Sequence, residues 1–257
     1  VERNGMINFR ELLSSGDILC GTMVTLASSE VVEALAHIGF DWLFVDAEHS
    51  PLSPIAVRDI IQTAGSTPCL VRIASKEKVQ IQQALDAGAA GIIVPSVNTA
   101  EDAQYVVDCV KYPPNGSRGI GLSRANTYGL RFYEYLEKAN QELAVVIQAE
   151  HIDAVNNIET ICSVGGIDGV FVGPYDLSAS LNKTGLLDDK EVVSAIEHVR
   201  DVCVAKKMPL GFFGVDAANV SAKVAEGFTL LCSGLDISFM TTGAQDTLVR
   251  LREGEQV

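Results

Sequence analysis

Gly39-Phe-Asp-Trp-Leu-Phe-Val-Asp46 and Gly166-Ile-Asp-Gly-Val-Phe-Val-Gly173 are two versions of one phrase. Each passes from a glycine and an acidic residue into an apolar run. A strand with one face in water alternates apolar and polar residues. An unbroken apolar run belongs to a strand covered on both faces, as in a parallel sheet packed under helices. The match is short, so a shared demand for a buried strand accounts for it nearly as well as duplication does. Outward from this pair the same kind of run recurs, at about Leu19–Val24, Cys69–Arg72, Gly91–Pro95, Leu143–Ala149, Leu210–Phe213 and Thr229–Ser233. With Trp42–Asp46 and Gly169–Val172 these make eight.

Amphipathic stretches separate the runs: Glu30–Ile38, Pro54–Ala64, Val79–Ala87, Ala100–Val110, Ile152–Ser163, Lys190–Lys206 and Ala217–Glu226, with a last one at about Thr242–Glu253. Thr99, ahead of Glu101 and Asp102, is placed as an N-cap with acids in the first turn. Gly39, Gly88 and Gly227 stand where C-terminal caps stand. Eight β-then-α units in 257 residues fit a closed (β/α)8 TIM barrel of one domain, 1–257. The competitor, an open doubly wound sheet, carries a glycine-rich first turn. Here that turn is Thr25-Leu-Ala-Ser-Ser.

Composition narrows the function. Nineteen basic against 33 acidic residues, net −14, argue against nucleic acid and against an anionic membrane surface. No apolar run approaches the roughly 20 residues of a membrane span. The first 16 residues are polar and charged, without the apolar core of a signal peptide. The six cysteines are scattered, with no C-x-x-C, and read as reduced, mostly buried thiols in a cytoplasmic protein.

One connection is long, about residues 96–142. It holds a helix and then Tyr112-Pro-Pro-Asn-Gly-Ser-Arg-Gly-Ile-Gly-Leu-Ser-Arg-Ala125. Three glycines and two arginines suggest a cover over the barrel's working face; an ordered surface loop is the plainer alternative.

In such a barrel the chemistry sits at the C-terminal strand ends. The second strand ends in Asp46-Ala-Glu-His49, and His49 can act as a general base, or the cluster can simply cap a helix. The third ends in Arg72, able to hold an oxyanion or a carboxylate, or to form a barrel-end salt bridge. The fifth ends in Gln148-Ala-Glu150, the sixth in Gly173-Pro-Tyr-Asp176. Glu150 and Asp176 suit a hard divalent ion acting as a Lewis acid on a keto oxygen, or else pair with Arg72. The turn Gly173-Pro174 lets backbone approach a ligand, so the amides of Tyr175 and Asp176 can meet a carboxylate. His151 follows Glu150 directly and points the other way. His37 and His198 lie within helices and read as structural.

These residues carry a resemblance. The chain resembles the HpcH/HpaI family of metal-dependent, pyruvate-specific class II aldolases, from about Phe9 to about Arg250. The matching stretches are Gly39–His49, Arg72, Leu85-Asp-Ala-Gly-Ala89, Tyr112-Pro-Pro-Asn-Gly-Ser-Arg-Gly119, Gln148-Ala-Glu150 and Gly166–Ser178. The resemblance implies a pyruvate-type barrel that cleaves 2-keto-4-hydroxy acids to pyruvate and an aldehyde. It makes Glu150 and Asp176 the ligands of Mg²⁺, Mn²⁺ or Co²⁺. Arg72 stabilises the enolate, His49 moves the proton, and Asp86 raises the basicity of His49 from across a subunit interface. Gln148, with Gly173, Pro174, Tyr175 and Asp176, contacts substrate. It further implies a homohexamer, a dimer of trimers, with C-terminal helices exchanged. The segment Gly234–Gly243 would lead into that exchange.

Two positions depart from the family pattern. Ala47 replaces a usual glycine. Tyr175 replaces a usual small residue, and its ring would narrow the pocket. None of the nine lysines falls on a strand end, which argues against a Schiff-base mechanism. Other readings are a related lyase or decarboxylase acting on oxaloacetate or a malyl-CoA-type thioester, with Arg118 and Arg124 as candidates for CoA phosphates, and a catalytically silent keto-acid-binding barrel.

Overall fold

The computed structural model describes residues 8–253; the first seven residues of the polar N-terminal stretch lie outside them. Eight strands close a parallel barrel in sequence order, β1 pairing with β8. They are β1 Leu19–Val24, β2 Trp42–Asp46, β3 Cys69–Arg72, β4 Gly91–Val94, β5 Ala144–Ala149, β6 Gly169–Val172, β7 Leu210–Gly214 and β8 Leu230–Leu235. The helices are α1 Phe9–Ser15, α2 Ser29–Ile38, α3 Pro54–Thr63, α4 Lys78–Asp86, α5 Ala100–Val110, α6 Phe132–Glu142, α7 Ile152–Asn156, α8 Ile158–Ile161, α9 Pro174–Ser180, α10 Lys190–Lys206, α11 Ala217–Ala222 and α12 Asp236–Glu253. None is long and apolar enough to cross a membrane. The eight strands and six of the eight expected helices stand where the pattern put them, with ends moved by a few residues. The stretch Ile152–Ser163 is two short helices meeting at Asn157.

Side chains alternate across each strand, so the barrel carries two cores. One lies between strands and helices and takes Leu43, Val45 and Val71. The other fills the barrel and takes Trp42 and Phe44 from β2, Leu70 from β3, Val146 from β5 and Phe171 from β6. Counting onward by two puts Asp46, Arg72 and Gln148 inward at the C-terminal end. The interior is an aromatic column. Phe9 of α1 closes the bottom, its ring 6.2 Å from Trp42. Trp42 meets Phe44 and Phe171 at 5.9 and 6.3 Å. Phe44 and Phe171, which hold the same position in the two copies of the repeated phrase, touch across the barrel at 5.5 Å. Gly21 is required here, because a Cβ at that position would lie 2.5 Å from the Trp42 ring. Above the column the Arg72 guanidinium sits 5.2 Å from the Phe44 ring.

Caps fix the surrounding helices. The side chains of Ser28, Ser53, Thr99 and Asp216 each accept from an amide of the first turn of the helix that follows. Each such cap stabilises by about 1 kcal/mol.

Two expectations need correction. The loop Tyr112–Ala125 does not cover the working face. It follows α5, which has already carried the chain back to the N-terminal end of the barrel. There Lys111 Nζ donates to the carbonyl of Leu143, just before β5, and Arg124 donates to the carbonyl of Ala87, just before β4. Arg118 is wholly buried, bonded to Asp86 at 2.7 Å and lying 4.6 Å from the Tyr112 ring centroid. The connection is also less open than its glycines suggest, since α6 occupies its last third. The second correction concerns the C-terminal helix. It starts at Asp236 rather than near Thr242, directly after β8, so most of Gly234–Gly243 is helix instead of a linker.

Candidate active site

Parity along the strands brings the predicted polar residues to one end. Arg72 is 7% exposed, and its Nε donates to Asp46 Oδ1 at 2.9 Å. The same nitrogen lies 3.3 Å from Glu48 Oε2. The structural alternative, a network in which Arg72 pairs with Glu150 and Asp176, is replaced by a pairing with Asp46 and Glu48. Burial works against the Arg72 charge, but Asp46, Glu48 and Glu150 together hold it above the ordinary arginine value. Asp46 Oδ1 also accepts from the amides of Glu48 and His49, turning the chain so that His49 leaves the barrel. The His49 side chain is 62% exposed, with Nε2 3.7 Å from Glu48 Oε2.

Glu150 follows β5 directly and is 8% exposed. Its Oε1 accepts from the Ser96 amide at 2.7 Å, and its Oε2 accepts from Gln148 Nε2. Ser96 holds that amide in place with φ +56°, a left-handed conformation that costs a non-glycine residue about 1 kcal/mol or more. Burial, assisted by the negative charges of Glu48 and Asp176, pushes the Glu150 carboxyl up to about 7, against the pull of Ser96 and Arg72. Burial likewise raises Glu48, against Arg72 and His49 and with Asp46 and Asp176.

Asp176 enters from the first turn of α9. Pro174 opens that helix, so the amides of Tyr175 and Asp176 lie where a helix has no internal acceptor. Gly173 lets β6 pass close to β5: a Cβ there would lie 2.8 Å from Gln148 Nε2 and 2.9 Å from Glu150 Cβ.

A cavity of about 650 Å³ opens over this end, lined by His49, Arg72, Gln148, Gly173, Pro174, Tyr175 and Asp176, with Asp46 and a set of apolar residues. A larger cavity, about 800 Å³, lies at the opposite end beside Pro68, Arg124 and Glu142. Barrel chemistry belongs at the C-terminal strand ends, so the smaller cavity is the candidate site.

The site fits a divalent cation. Among the described residues no group of three or more His, Cys, Asp or Glu converges as a ligand set. The predicted pair is two carboxylates, which suits an ion that keeps water and substrate oxygens in its remaining places. Gln148 Oε1 is buried with no hydrogen-bond donor, and Glu48 Oε2, equally without a hydrogen bond, has only the ion-pair contacts with Arg72 and His49. Acid in excess, and an orphan oxygen beside it, are what a cation would satisfy.

Asp86 is at the far end of α4, in an ion pair with Arg118; within one chain no hydrogen bond or ion pair among the described residues joins it to His49, as a role across a subunit interface implies. Arg118 and Arg124 are engaged at the N-terminal end and offer nothing to a CoA phosphate at this site. His151 caps α7, its Nδ1 accepting from the Asp153 amide. Two residues were missed. Asp46 could have been found by counting inward positions from Trp42. Asp236 is buried and accepts from Thr25 N and Leu26 N, each at 2.8 Å, and from Thr25 Oγ1 at 2.6 Å. Its partners are some 210 residues away, and no local signal marks it.

Comparison with known proteins agrees with this geometry. The pattern of HpcH/HpaI aldolase/citrate lyase matches residues 20–242. A hydroxypyruvate/pyruvate aldolase of Cupriavidus necator is 34% identical over 249 residues, covering 95% of this chain and 92% of the relative. A 4-hydroxy-2-oxo-heptane-1,7-dioate aldolase of Salmonella dublin is 36% identical over 247 residues, 94% of this chain and 93% of the relative. Among solved structures, an HpcH/HpaI aldolase/citrate lyase family protein from Burkholderia cenocepacia J2315 superposes with a TM-score of 0.92. It shares 31% identity and covers 95% of this chain and 98% of its own.

Proposed function

We propose, since the chain belongs to the HpcH/HpaI aldolase/citrate lyase family, that it cleaves a 2-keto-4-hydroxy acid to pyruvate and an aldehyde. The observation that carries this reading is Arg72, fixed by Asp46 at 2.9 Å and presented beside Glu150 at the mouth of the barrel. The chain is a pyruvate aldolase by its relatives, and the roles below are our assignment.

Glu150 and Asp176 are the residues that would hold the divalent ion, Mg²⁺, Mn²⁺ or Co²⁺. When bound, that ion supplies Lewis acidity toward the keto oxygen. The chain's own groups do the rest. The amides of Tyr175 and Asp176, in the first turn of α9, orient the substrate carboxylate. Gln148, inward and buried, contacts the keto acid. His49 removes the proton of the 4-hydroxyl. The C3–C4 bond then breaks, its electron pair passing into the enolate of pyruvate while C4 becomes the aldehyde carbonyl. Arg72 faces the developing enolate oxygen with a charge held in advance by Asp46 and Glu48, so little reorganisation is needed during reaction. A proton returned to C3 completes pyruvate. Asp86, whose own-chain partner is Arg118, would act on His49 only from a neighbouring subunit. That assignment goes with a hexamer built as a dimer of trimers and with exchange of α12, whose apolar Phe239, Met240, Leu248 and Leu251 are exposed in the single chain. Cys69, Cys109, Cys162, Cys203 and Cys232 are free and buried, which supports a cytoplasmic setting.

The test is pyruvate release from 4-hydroxy-2-keto acids with Mn²⁺ or Mg²⁺ present, followed continuously through reduction of the pyruvate. Full activity after exhaustive chelation rejects the metal assignment; undiminished turnover in His49→Ala rejects the base. No release from any of a panel of such acids rejects the function in favour of a silent keto-acid-binding barrel. Oxaloacetate belongs in the same panel, because its decarboxylation passes through the same enolate.

A further inference from the structure

The polar end accounts for only one side of the cavity. The other side is built from Met23 and Leu26 at the end of β1, Phe213 on β7 and Leu235 at the end of β8, with Pro51 and Tyr175 at the rim. Among the described residues Arg72 is the sole lysine or arginine in the lining, and its Nε is engaged by Asp46 and Glu48. The other acidic or basic side chains in the lining are Asp46, Asp176 and His49, all on the polar side. This apolar wall is also held rigidly. Asp236 accepts from the amides of Thr25 and Leu26 on one side and from Ile237 N on the other, at 2.8 Å each. Leu26 and Leu235 are thereby fastened to one carboxylate across the seam of the barrel.

We infer that the aldehyde half of the substrate is uncharged and apolar, seated against Met23, Leu26, Phe213 and Leu235. The inference rests on the pyruvate-aldolase reading above and sharpens it. An aldehyde with a distal carboxylate would bring a second negative charge against Met23, Leu26, Phe213 and Leu235, a wall with no charged partner for it among the described residues. Burying an unpaired carboxylate is far more costly than leaving it in water. An apolar group of the same shape gains by leaving water. The Salmonella dublin relative is named for a 1,7-dioate, a substrate whose second carboxylate this wall would disfavour.

The experiment compares two aldehydes of matched shape in the condensation direction, with pyruvate and Mn²⁺ and the enzyme in its native assembly. Succinic semialdehyde carries a carboxylate where 4-methylpentanal carries an isopropyl group. The expected result is a kcat/KM at least about tenfold higher for 4-methylpentanal, since one hydrophobic-pocket contact already discriminates roughly 10–200-fold. Leu235→Arg should shift that ratio toward succinic semialdehyde by about tenfold or more. A wild-type ratio of one or less overturns the inference, whatever the variant does. A separate readout protects the parent reading: exchange of the pyruvate methyl protons in D₂O, without aldehyde, followed by NMR. Exchange with a reversed aldehyde preference sinks this inference alone. Absence of exchange sinks the aldolase reading and the inference with it.

Discussion

Asp46 and Arg72 face each other on adjacent strands, Oδ1 to Nε 2.9 Å, both buried. A buried pair of this kind fixes the direction of the guanidinium as well as its charge. Asp46→Asn keeps the shape and removes the charge, so turnover should fall by about 10–100-fold with little change in expression. Arg72→Lys keeps a charge without the fork, and should cost about 10²–10³-fold in kcat if Arg72 faces the enolate oxygen. Steady-state kinetics decide it. A full rate in R72K would mean that the arginine is only a structural tie.

Glu150 and Asp176 are assigned the same cation, and the prediction concerns binding rather than rate. Glu150→Gln and Asp176→Asn should each weaken Mn²⁺ binding by at least about tenfold, measured calorimetrically, with circular dichroism unchanged. Tight Mn²⁺ binding in the double variant would move the metal elsewhere.

Gly173→Ala places a methyl 2.8 Å from Gln148 Nε2 and 2.9 Å from Glu150 Cβ, and the second of these cannot retreat without its backbone. Strand β6 must shift away from β5. Overpacking of this sort destabilises by about 1–3 kcal/mol. We expect a lowered melting temperature, together with a fall in turnover larger than the stability change explains. An unchanged variant would show that the two strand ends separate without cost.

Lys111 sits under the barrel, donating to the carbonyls of Asn140 and Leu143. Burial, outweighing the attraction of Asp168, lowers its ammonium from 10.5 to about 8. The unfolded chain therefore keeps this proton up to a higher pH than the native chain does. Stability from this group rises as pH climbs through that window and is absent below it. Each pH unit is worth at most about 1.4 kcal/mol. In urea titrations, wild type should gain on Lys111→Met by about 1–2 kcal/mol between pH about 7 and about 9.5. A difference that stays level would mean that the ammonium is solvated.

The strands were legible because both faces of each are covered, and covering leaves an unbroken apolar run that local reading detects. Arg72, Gln148 and Glu150 were legible for a related reason: a polar residue ending such a run has few explanations besides a site. Asp46 stood in plain view within a charged cluster, but its role depended on the parity of Trp42 and Phe44. Helix α1 was passed over as polar sequence, although Asn8 and Gly16 cap it, because its seven residues offer only Phe9 and Leu13 as a buried face. The loop after α5 was assigned to the wrong end of the barrel because glycine and arginine describe a loop's chemistry, and only chain direction says which end it occupies. The last helix was expected only from about Thr242, because Ser238, Thr241 and Thr242 are weak helix formers; the structure starts it at Asp236, as tertiary context often overrides propensity. The bonds of Asp236 to Thr25 and Leu26 join the two ends of the chain and leave no local trace.

Strand β8 passes into α12 with no residue between them: Leu235 ends the one and Asp236 begins the other. One wall of the aldehyde pocket is therefore the last link of an 18-residue lever. Under the helix exchange proposed above, a neighbour that grips that lever would also adjust the wall. Substrate discrimination and assembly would then be a single mechanical property, and changes to the outer turns of the helix, far from any reacting atom, would be a route to retuning which aldehyde is accepted.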